Sequence, residues 1–226
     1  IEDFKSSSGN KLQNLQLSYQ FFGKRWGTAP IILINHALTG NSVISGKYGW
    51  WSEIVGINRA VDLNKFTVLG INIPGNGFNE ENFDFSVELN LGDIAHIFIK
   101  ALDKLKISKL YAIIGGSIGG CLTWEMAAIK NDIAEKIIPL ASDWKANDWV
   151  IANTFLQDRI LENSKDPIGD ARIHAMTFYR TPESLNQRFL RSKNIEKGIY
   201  NVESWLDHHA IKLNPVSYTH LRAHET

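Results

Sequence analysis

The sequence predicts an α/β domain with a mostly parallel sheet flanked by helices. Short apolar segments at residues 31–34 and 66–72 have the composition of buried strands, and residues 136–141 read as another strand. They alternate along the chain with longer segments whose apolar residues recur every three or four positions, which indicates helices. Strands that are separated by helices pair in parallel, because each connection returns along a face of the sheet.

The remaining elements follow from the same patterns. Loosely alternating apolar residues over 12–22 predict an antiparallel strand at one edge of the sheet, and a helical period predicts a helix within 86–105. No strand is evident from residue 147 to about residue 206, where helical stretches are split by Asp166-Pro167. We therefore predict two parts, a core over residues 1–146 and a helical cap over residues 147–213.

Both ends of the chain are unusual. It opens at Ile1, within what reads as an edge strand. Residues 214–226 have neither helical nor strand periodicity and resemble a vector-derived tail, so we expect them to be non-native and leave them out of the fold. We expect the chain to be a fragment that lacks the C-terminal part of the core.

Composition excludes several classes of function. Lys and Arg together number 24, as do Asp and Glu, so no net charge favours binding to nucleic acid or to an anionic membrane. The single cysteine, Cys121, fits a reducing cytoplasmic setting and is expected to be a small packing residue. No cysteine or histidine cluster has convincing metal spacing, and no nucleotide-binding glycine motif occurs, so we predict no metal and no bound cofactor.

The clearest motif lies where a predicted strand, 111–114, runs into the sequence Gly-Gly-Ser-Ile-Gly-Gly at 115–120 and then into a helix. Strand, Gly-x-Ser-x-Gly and helix in this order form the nucleophile elbow of α/β-hydrolases. We therefore predict the α/β-hydrolase fold, with Ser117 as a nucleophile. The alternative is a strand-to-helix turn that needs glycine for packing alone.

A serine nucleophile needs N–H donors for the oxyanion that forms during acyl transfer. In this fold one donor belongs to the residue after the nucleophile, here Ile118, and the other to the loop after the preceding central strand, here residues 36–40. His36 could be mistaken for the catalytic base. Its place at the end of a buried strand favours a structural role, orienting this loop.

The base itself is not evident. After Ser117 the chain has five histidines, and none follows a further core strand, which is where this fold presents its base. We expect that the base and its acid are missing from this chain, and that it is inactive in turnover. The five are His174, His208, His209, His220 and His224.

Several separate motifs, in the right order between about residue 15 and residue 213, resemble the homoserine O-acetyltransferases. The segments that carry the resemblance are 36–40, 48–51, 115–120, 166–167, 171–172, 177–180 and 202–206.

The resemblance implies that Ser117 takes an acetyl group from acetyl-CoA and passes it to the hydroxyl of homoserine, a step of methionine biosynthesis. It also implies that Leu38 and Ile118 supply the oxyanion N–H groups, and that Arg172 and Tyr179 bind the amino-acid end of homoserine. A guanidinium suits a substrate carboxylate, and Tyr179 lies two helical turns after Arg172. The alternative is a surface arginine beside a packing tyrosine. The family tendency is a homodimer formed through the cap.

Three alternative functions stay open. A serine hydrolase would keep the nucleophile and release the acyl group to water, and a close homologue would use succinyl-CoA as the donor. A non-catalytic binding module would keep the fold without the triad.

Overall fold

The computed structural model describes residues 1–78, 83 and 86–213. The described residues form two compact units that divide between Lys145 and Ala146. Among the described residues, the first unit contains nine strands and two helices, and the second contains four helices and one short two-stranded ladder.

The first unit contains nine strands and two helices among its described residues. In chain order they are β1 (Phe4–Lys5), β2 (Lys11–Leu12), β3 (Tyr19–Gly23), β4 (Ile31–Asn35), β5 (Val55–Gly56), β6 (Val61–Asp62), β7 (Thr67–Ile71), α1 (Leu91–Lys104), β8 (Leu110–Gly116), α2 (Ile118–Ile129) and β9 (Ala134–Leu140).

Five of these strands form one mixed sheet in the order β3-β7-β4-β8-β9. Strands β7, β4, β8 and β9 are parallel, and β3 pairs antiparallel with β7 at one edge. The predicted fold class is confirmed. The predicted edge strand over 12–22 is shorter in the structure, because Lys11–Leu12 pairs instead with Phe4–Lys5 in a separate antiparallel ladder.

One face of the sheet packs against both helices. Leu33, Leu69 and Ile113 point from neighbouring strands into a core that they share with buried residues of α1 and α2. Helix α1 begins later than the pattern suggests because Asn90 caps it: the Asn90 side chain accepts from the Asp93 N–H, and Asp93 accepts from the Asn90 N–H.

The other face is covered by the irregular segment 41–66, which contains the short parallel pair β5 and β6. Ile44 of this segment lies so close to β7 that a Cβ at Gly70 would stand 2.5 Å from the Ile44 Cδ1 and 2.7 Å from the Ser42 carbonyl oxygen. Gly70 is therefore required for this segment to reach the sheet. The alternating strand residues on this face are Ile32, Ile34, Val68, Ala112 and Ile114.

Strand β9 differs from the strands beside it. No strand within the described residues pairs with its outer edge. Ile137 and Ile138, which point to opposite faces, are 36% and 38% exposed, whereas Ile113 of the neighbouring strand is fully buried. This unit therefore presents an apolar sheet edge.

The described residues of the second unit form four helices: α3 (Asp148–Asn163), α4 (Pro167–Phe178), α5 (Pro182–Phe189) and α6 (Asn201–Leu213). Asp166 caps α4 by accepting from the Gly169 N–H, and Pro167 takes the first helical position. Helix α4 packs against α3 and α6. Helix α3 has no fully buried residue, and Trp149 and Phe155 on it are exposed.

The prediction that this region has no strand is wrong in one place. Strands β10 (Lys193–Asn194) and β11 (Ile199–Tyr200) form a two-residue antiparallel ladder, with a turn that ends at Gly198. Two residues are too few to show alternation in a sequence. None of the described helices has the length and apolar character needed to cross a membrane.

The exposed edge of β9 generates a testable expectation. A long apolar edge is a template for pairing with another chain, and a lysine on it opposes that pairing. We expect Ile138→Lys to reduce concentration-dependent self-association, measured by sedimentation velocity. Ile129→Lys is the matched control, because Ile129 is equally exposed (38%) but lies at the end of α2. Equal association of the two variants would show that the edge is not responsible.

Candidate active site

The candidate site lies at the carboxyl ends of two neighbouring parallel strands. Asn35, the last residue of β4, pairs in register with Gly115 of β8. The loop 36–40 and Ser117 follow these residues directly, so the sheet itself places them side by side.

Ser117 has a backbone conformation that is rare for a residue with a side chain. Its φ is 55° and its ψ is −124°, and it stands immediately before the first residue of α2. The Ser117 N–H donates to the Leu140 carbonyl at 2.9 Å, which ties the turn to β9. The side chain is exposed, as a nucleophile on a strand-to-helix elbow would be.

Glycines allow the elbow to close. A Cβ at Gly115 would stand 2.0 Å from the Gly119 carbonyl oxygen, and a Cβ at Gly119 would stand 2.2 Å from the Asn35 carbonyl oxygen. The first turn of α2 therefore lies directly against the end of β4. A Cβ at Gly116, by contrast, would meet nothing within 4 Å.

Two backbone N–H groups at this place have no acceptor among the described residues. Ile118 is the first residue of α2, so its N–H has no intrahelical partner, and the Leu38 N–H likewise makes no hydrogen bond with a described group. Donors at a helix N-terminus favour a negative charge. The Leu38 and Ile118 N–H groups therefore remain without a described acceptor, and their role as oxyanion donors stays a prediction.

His36 is fully buried and links two loops. Its Nδ1 lies 2.7 Å from the Ala37 carbonyl oxygen, and its Nε2 accepts from the Ile73 N–H at 3.0 Å. The Asn76 side chain lies 3.4 Å from the same Nε2 and donates to the Gly40 carbonyl oxygen at 3.4 Å. With both ring nitrogens in contact with the backbone, His36 holds the loop 36–40 in place, which is the structural role that its position favours.

Within the first unit, neither Cys121 nor a described histidine completes a catalytic pair with Ser117. Burial raises the pKa of the Cys121 thiol, which keeps it protonated and poorly nucleophilic. Within the described part of the first unit the other histidine is His96, whose Nδ1 bonds to the Gly92 carbonyl on α1. No hydrogen bond joins the Ser117 hydroxyl to a described histidine or carboxylate of the first unit.

In the second unit, Arg172 and Tyr179 come close together. The Arg172 guanidinium carbon lies 5.9 Å from the Tyr179 ring centroid, and Tyr179 follows Phe178, the last residue of α4. The Nε of Arg172 is buried and has no hydrogen-bond acceptor among the described residues. A buried donor without a partner is costly, and a carboxylate is its best acceptor.

The histidines of the second unit have structural surroundings. His174 Nδ1 lies 2.8 Å from the Gln157 side-chain nitrogen, and the His209 ring packs on Trp205 with its centroid 4.7 Å away. Burial lowers the pKa of His209, and the positive charge of Arg172 lowers it further. The described residues contain no group of three or more histidines, cysteines or carboxylates that could hold a metal ion.

Comparison with known proteins agrees with this geometry. The α/β-hydrolase fold family matches residues 30–165, so the chain belongs to that family.

Its curated relatives include homoserine O-acetyltransferases. The enzyme of Symbiobacterium thermophilum is 28% identical over 91% of this chain and 65% of its own length, and that of Methanohalophilus mahii is 28% identical over 97% and 53%. The resemblance indicated by the motifs is therefore confirmed. The chain spans about half to two thirds of the length of these relatives.

Solved structures show the same fold. Homoserine O-acetyltransferase from Staphylococcus aureus superposes with a TM-score of 0.80 and 24% identity, covering 99% of this chain and 70% of its own. Esterase E22 superposes with a TM-score of 0.77 and 18% identity, covering 100% and 73%. The fold is thus shared by proteins named as transferases and as esterases.

The strained serine can be tested by stability. Ser117→Ala retains a Cβ at positive φ, whereas Ser117→Gly removes it, so we expect the glycine variant to be more stable by about 1 kcal/mol. Urea unfolding of the two variants measures the difference. An alanine variant as stable as the glycine variant would mean that the turn is not strained.

The close approach of α2 to β4 can be tested with a matched pair of glycines. A methyl group at Gly119 has no room beside the Asn35 carbonyl oxygen, so Gly119→Ala should lower the free energy of unfolding by about 3 kcal/mol. Gly116→Ala meets open space and should change it by less than about 0.5 kcal/mol. Thermal unfolding measures both, and similar losses in the two variants would contradict the packing described above.

Proposed function

We propose that the protein is an acyltransferase that moves an acetyl group from acetyl-CoA to the hydroxyl of L-homoserine, a reaction of methionine biosynthesis. The observation that carries this proposal is the elbow: Ser117 at φ 55°, with the Leu38 and Ile118 N–H groups unoccupied at the ends of adjacent strands. The names of the curated relatives supply the acyl donor and the acceptor.

The chemistry assigned to these residues is a two-step transfer. The Ser117 oxygen attacks the thioester carbonyl, the carbonyl oxygen becomes an oxyanion that accepts from the Leu38 and Ile118 N–H groups, and the thiol of coenzyme A leaves. The homoserine hydroxyl then attacks the acyl-serine and restores Ser117. Each N–H donor contributes about 3 kcal/mol of transition-state stabilisation in comparable sites. A base must also take the serine proton.

Arg172 and Tyr179 are assigned to the amino-acid end of homoserine. The buried Arg172 Nε has no described acceptor, and a guanidinium donates two parallel hydrogen bonds to a carboxylate. Tyr179 is exposed and adds a hydroxyl beside it. A site for a carboxylate at Arg172 and Tyr179 favours an amino acid over water as the acyl acceptor.

The setting belongs to the same proposal. A single half-buried cysteine is compatible with a cytoplasmic protein. The exposed apolar residues of α3 (Trp149, Ile151 and Phe155) are compatible with a homodimer formed through the second unit.

A serine hydrolase is the second candidate, because esterase E22 shares the fold. In that case water rather than homoserine would discharge the acyl-serine. A donor with a larger acyl group, such as succinyl-CoA, would require a larger acyl pocket but the same nucleophile elbow.

The test follows the acyl group directly. We expect an activated acetyl ester to acylate Ser117 slowly, as measured by intact mass and peptide mapping, because an oxyanion hole alone retains part of the rate enhancement. We expect homoserine to accelerate the loss of that acyl group, and Ser117→Ala to remain unlabelled. Loss at the same rate with and without homoserine would favour the hydrolase.

Arg172 has its own matched control. Arg172→Gln should raise the homoserine concentration needed for half-maximal discharge by about tenfold or more, since a charge-assisted hydrogen bond is lost. Arg159→Gln should not, because the Arg159 guanidinium already pairs with Glu162 at 2.9 Å. An unchanged homoserine dependence in Arg172→Gln would overturn the substrate-binding role.

A further inference from the structure

The ring of Trp205 gathers positive charge from two other segments of the second unit. The guanidinium carbon of Arg180, which follows α4, and that of Arg188, in the last turn of α5, each lie 5.5 Å from the Trp205 ring centroid. Phe189 and His209 pack on the same indole, with ring centroids 5.5 Å and 4.7 Å away. Three segments therefore converge on one aromatic side chain.

This positive charge is not neutralised within the part of the chain that the structure describes. Neither Arg180 nor Arg188 forms an ion pair with a described carboxylate, in contrast to Arg159 of the same unit. The carboxylates on α4, α5 and α6 are Asp170, which accepts from the Ser164 hydroxyl, Glu183 at the start of α5, and Glu203 and Asp207 on the exposed side of α6. Glu203 is engaged with the Tyr200 N–H.

The pKa of His209 is lowered at this place, first by burial and then by nearby positive charge. After burial, the effects that lower the pKa of His209 all come from positive groups: Arg172 on α4, His208 and Lys212 on α6 itself, and Arg188 on α5. The positive charges that lower this pKa thus belong to α4, α5 and α6. Like charges gathered in this way repel one another, so an anion bound among them would stabilise the unit.

We propose that Arg180, Arg188 and Trp205 form a binding surface for an organic phosphate that carries two or more phosphate charges. A guanidinium held over an aromatic ring keeps its N–H donors at its edge, where their planar fork matches phosphate oxygens. The indole adds an apolar plane on which a nucleotide base can stack. That the ligand carries phosphate groups is argued from these three residues alone. That it is the nucleotide end of coenzyme A rests on the proposed function.

The simpler alternative is that the two cation–π contacts only fasten α5 and the end of α4 to α6. Both interpretations predict that the arginines contribute to stability. They differ in ligand binding, in its dependence on salt and in its dependence on pH. A bound anion raises the pKa of His209, so binding should strengthen as the pH falls from 7.5 to 6 and weaken with added salt.

The test is titration calorimetry of the full chain with coenzyme A, adenosine 3′,5′-bisphosphate, pyrophosphate and uncharged adenosine. We expect saturable binding of coenzyme A and of the bisphosphate, and none of adenosine. In Arg180→Gln/Arg188→Gln we expect affinity to fall about tenfold or more, and in Arg159→Gln to stay unchanged. His209→Gln should remove the part of the pH dependence that comes from this ring.

Two lysine variants separate the charge of the arginines from the geometry of their N–H donors. Arg180→Lys and Arg188→Lys retain the charge and lose the fork, so they give intermediate affinities if phosphate binding is correct, and they serve if the double variant does not fold. Pyrophosphate binding as tight as coenzyme A would identify the phosphate groups alone as the ligand and overturn the nucleotide source. Absence of binding by every anion, or equal binding by the double variant, would overturn the site. Anion binding that persists when Ser117 cannot be acylated would leave this inference standing and refute only the acyl-transfer proposal.

Discussion

The packing of the first turn of α2 against the end of β4 is the contact on which the candidate site depends. Gly119 approaches the Asn35 and His36 carbonyl oxygens so closely that no side chain fits between them. Because of this approach, the Ile118 N–H and the loop 36–40 stand at the same end of the sheet, and Ser117 is forced into its unusual backbone conformation. The packing of α2 against β4 thus stabilises the strained backbone conformation of Ser117, which an isolated turn would not keep.

Buried polar contacts continue this arrangement away from the serine. His36 joins the loop after β4 to the turn after β7, and Asn72 extends the link by accepting from the Ser42 N–H at 2.6 Å. Partners inside a low-dielectric core hold one another in place more firmly than they would in water. Buried polar atoms without a described partner occur in both units: the Asn35 Oδ1 and Ser142 Oγ in the first, and the Arg172 Nε in the second.

Much of the fold could be predicted because its signals are local. The strand runs at 31–34 and 66–72, the glycines of the elbow and the Asp166-Pro167 helix start each act over a few residues, and the structure has an element at each place. The segment 41–66 could not be predicted, because it packs through single contacts such as Ile44 over Gly70 and has no period of its own.

The candidate site divides in the same way. A motif could indicate Ser117 and Ile118, which follow one another in the chain. The pairing of Arg180 and Arg188 with Trp205 could not be indicated, because these residues lie on separate segments, with the β10–β11 ladder between α5 and α6, and share no spacing rule. The roles of Leu38, Arg172 and Tyr179 came from the family resemblance alone and stay predictions.

Helix α3 has a consequence for the dynamics of the second unit. It has no buried residue, whereas α4 buries Ile168, Ala171 and Met176. Segments with few buried contacts open at a lower free energy than the rest of a protein. In native-state hydrogen exchange the backbone amides of α3 should therefore exchange through local opening. The amides of β4, β7 and β8 should exchange only through a larger unfolding.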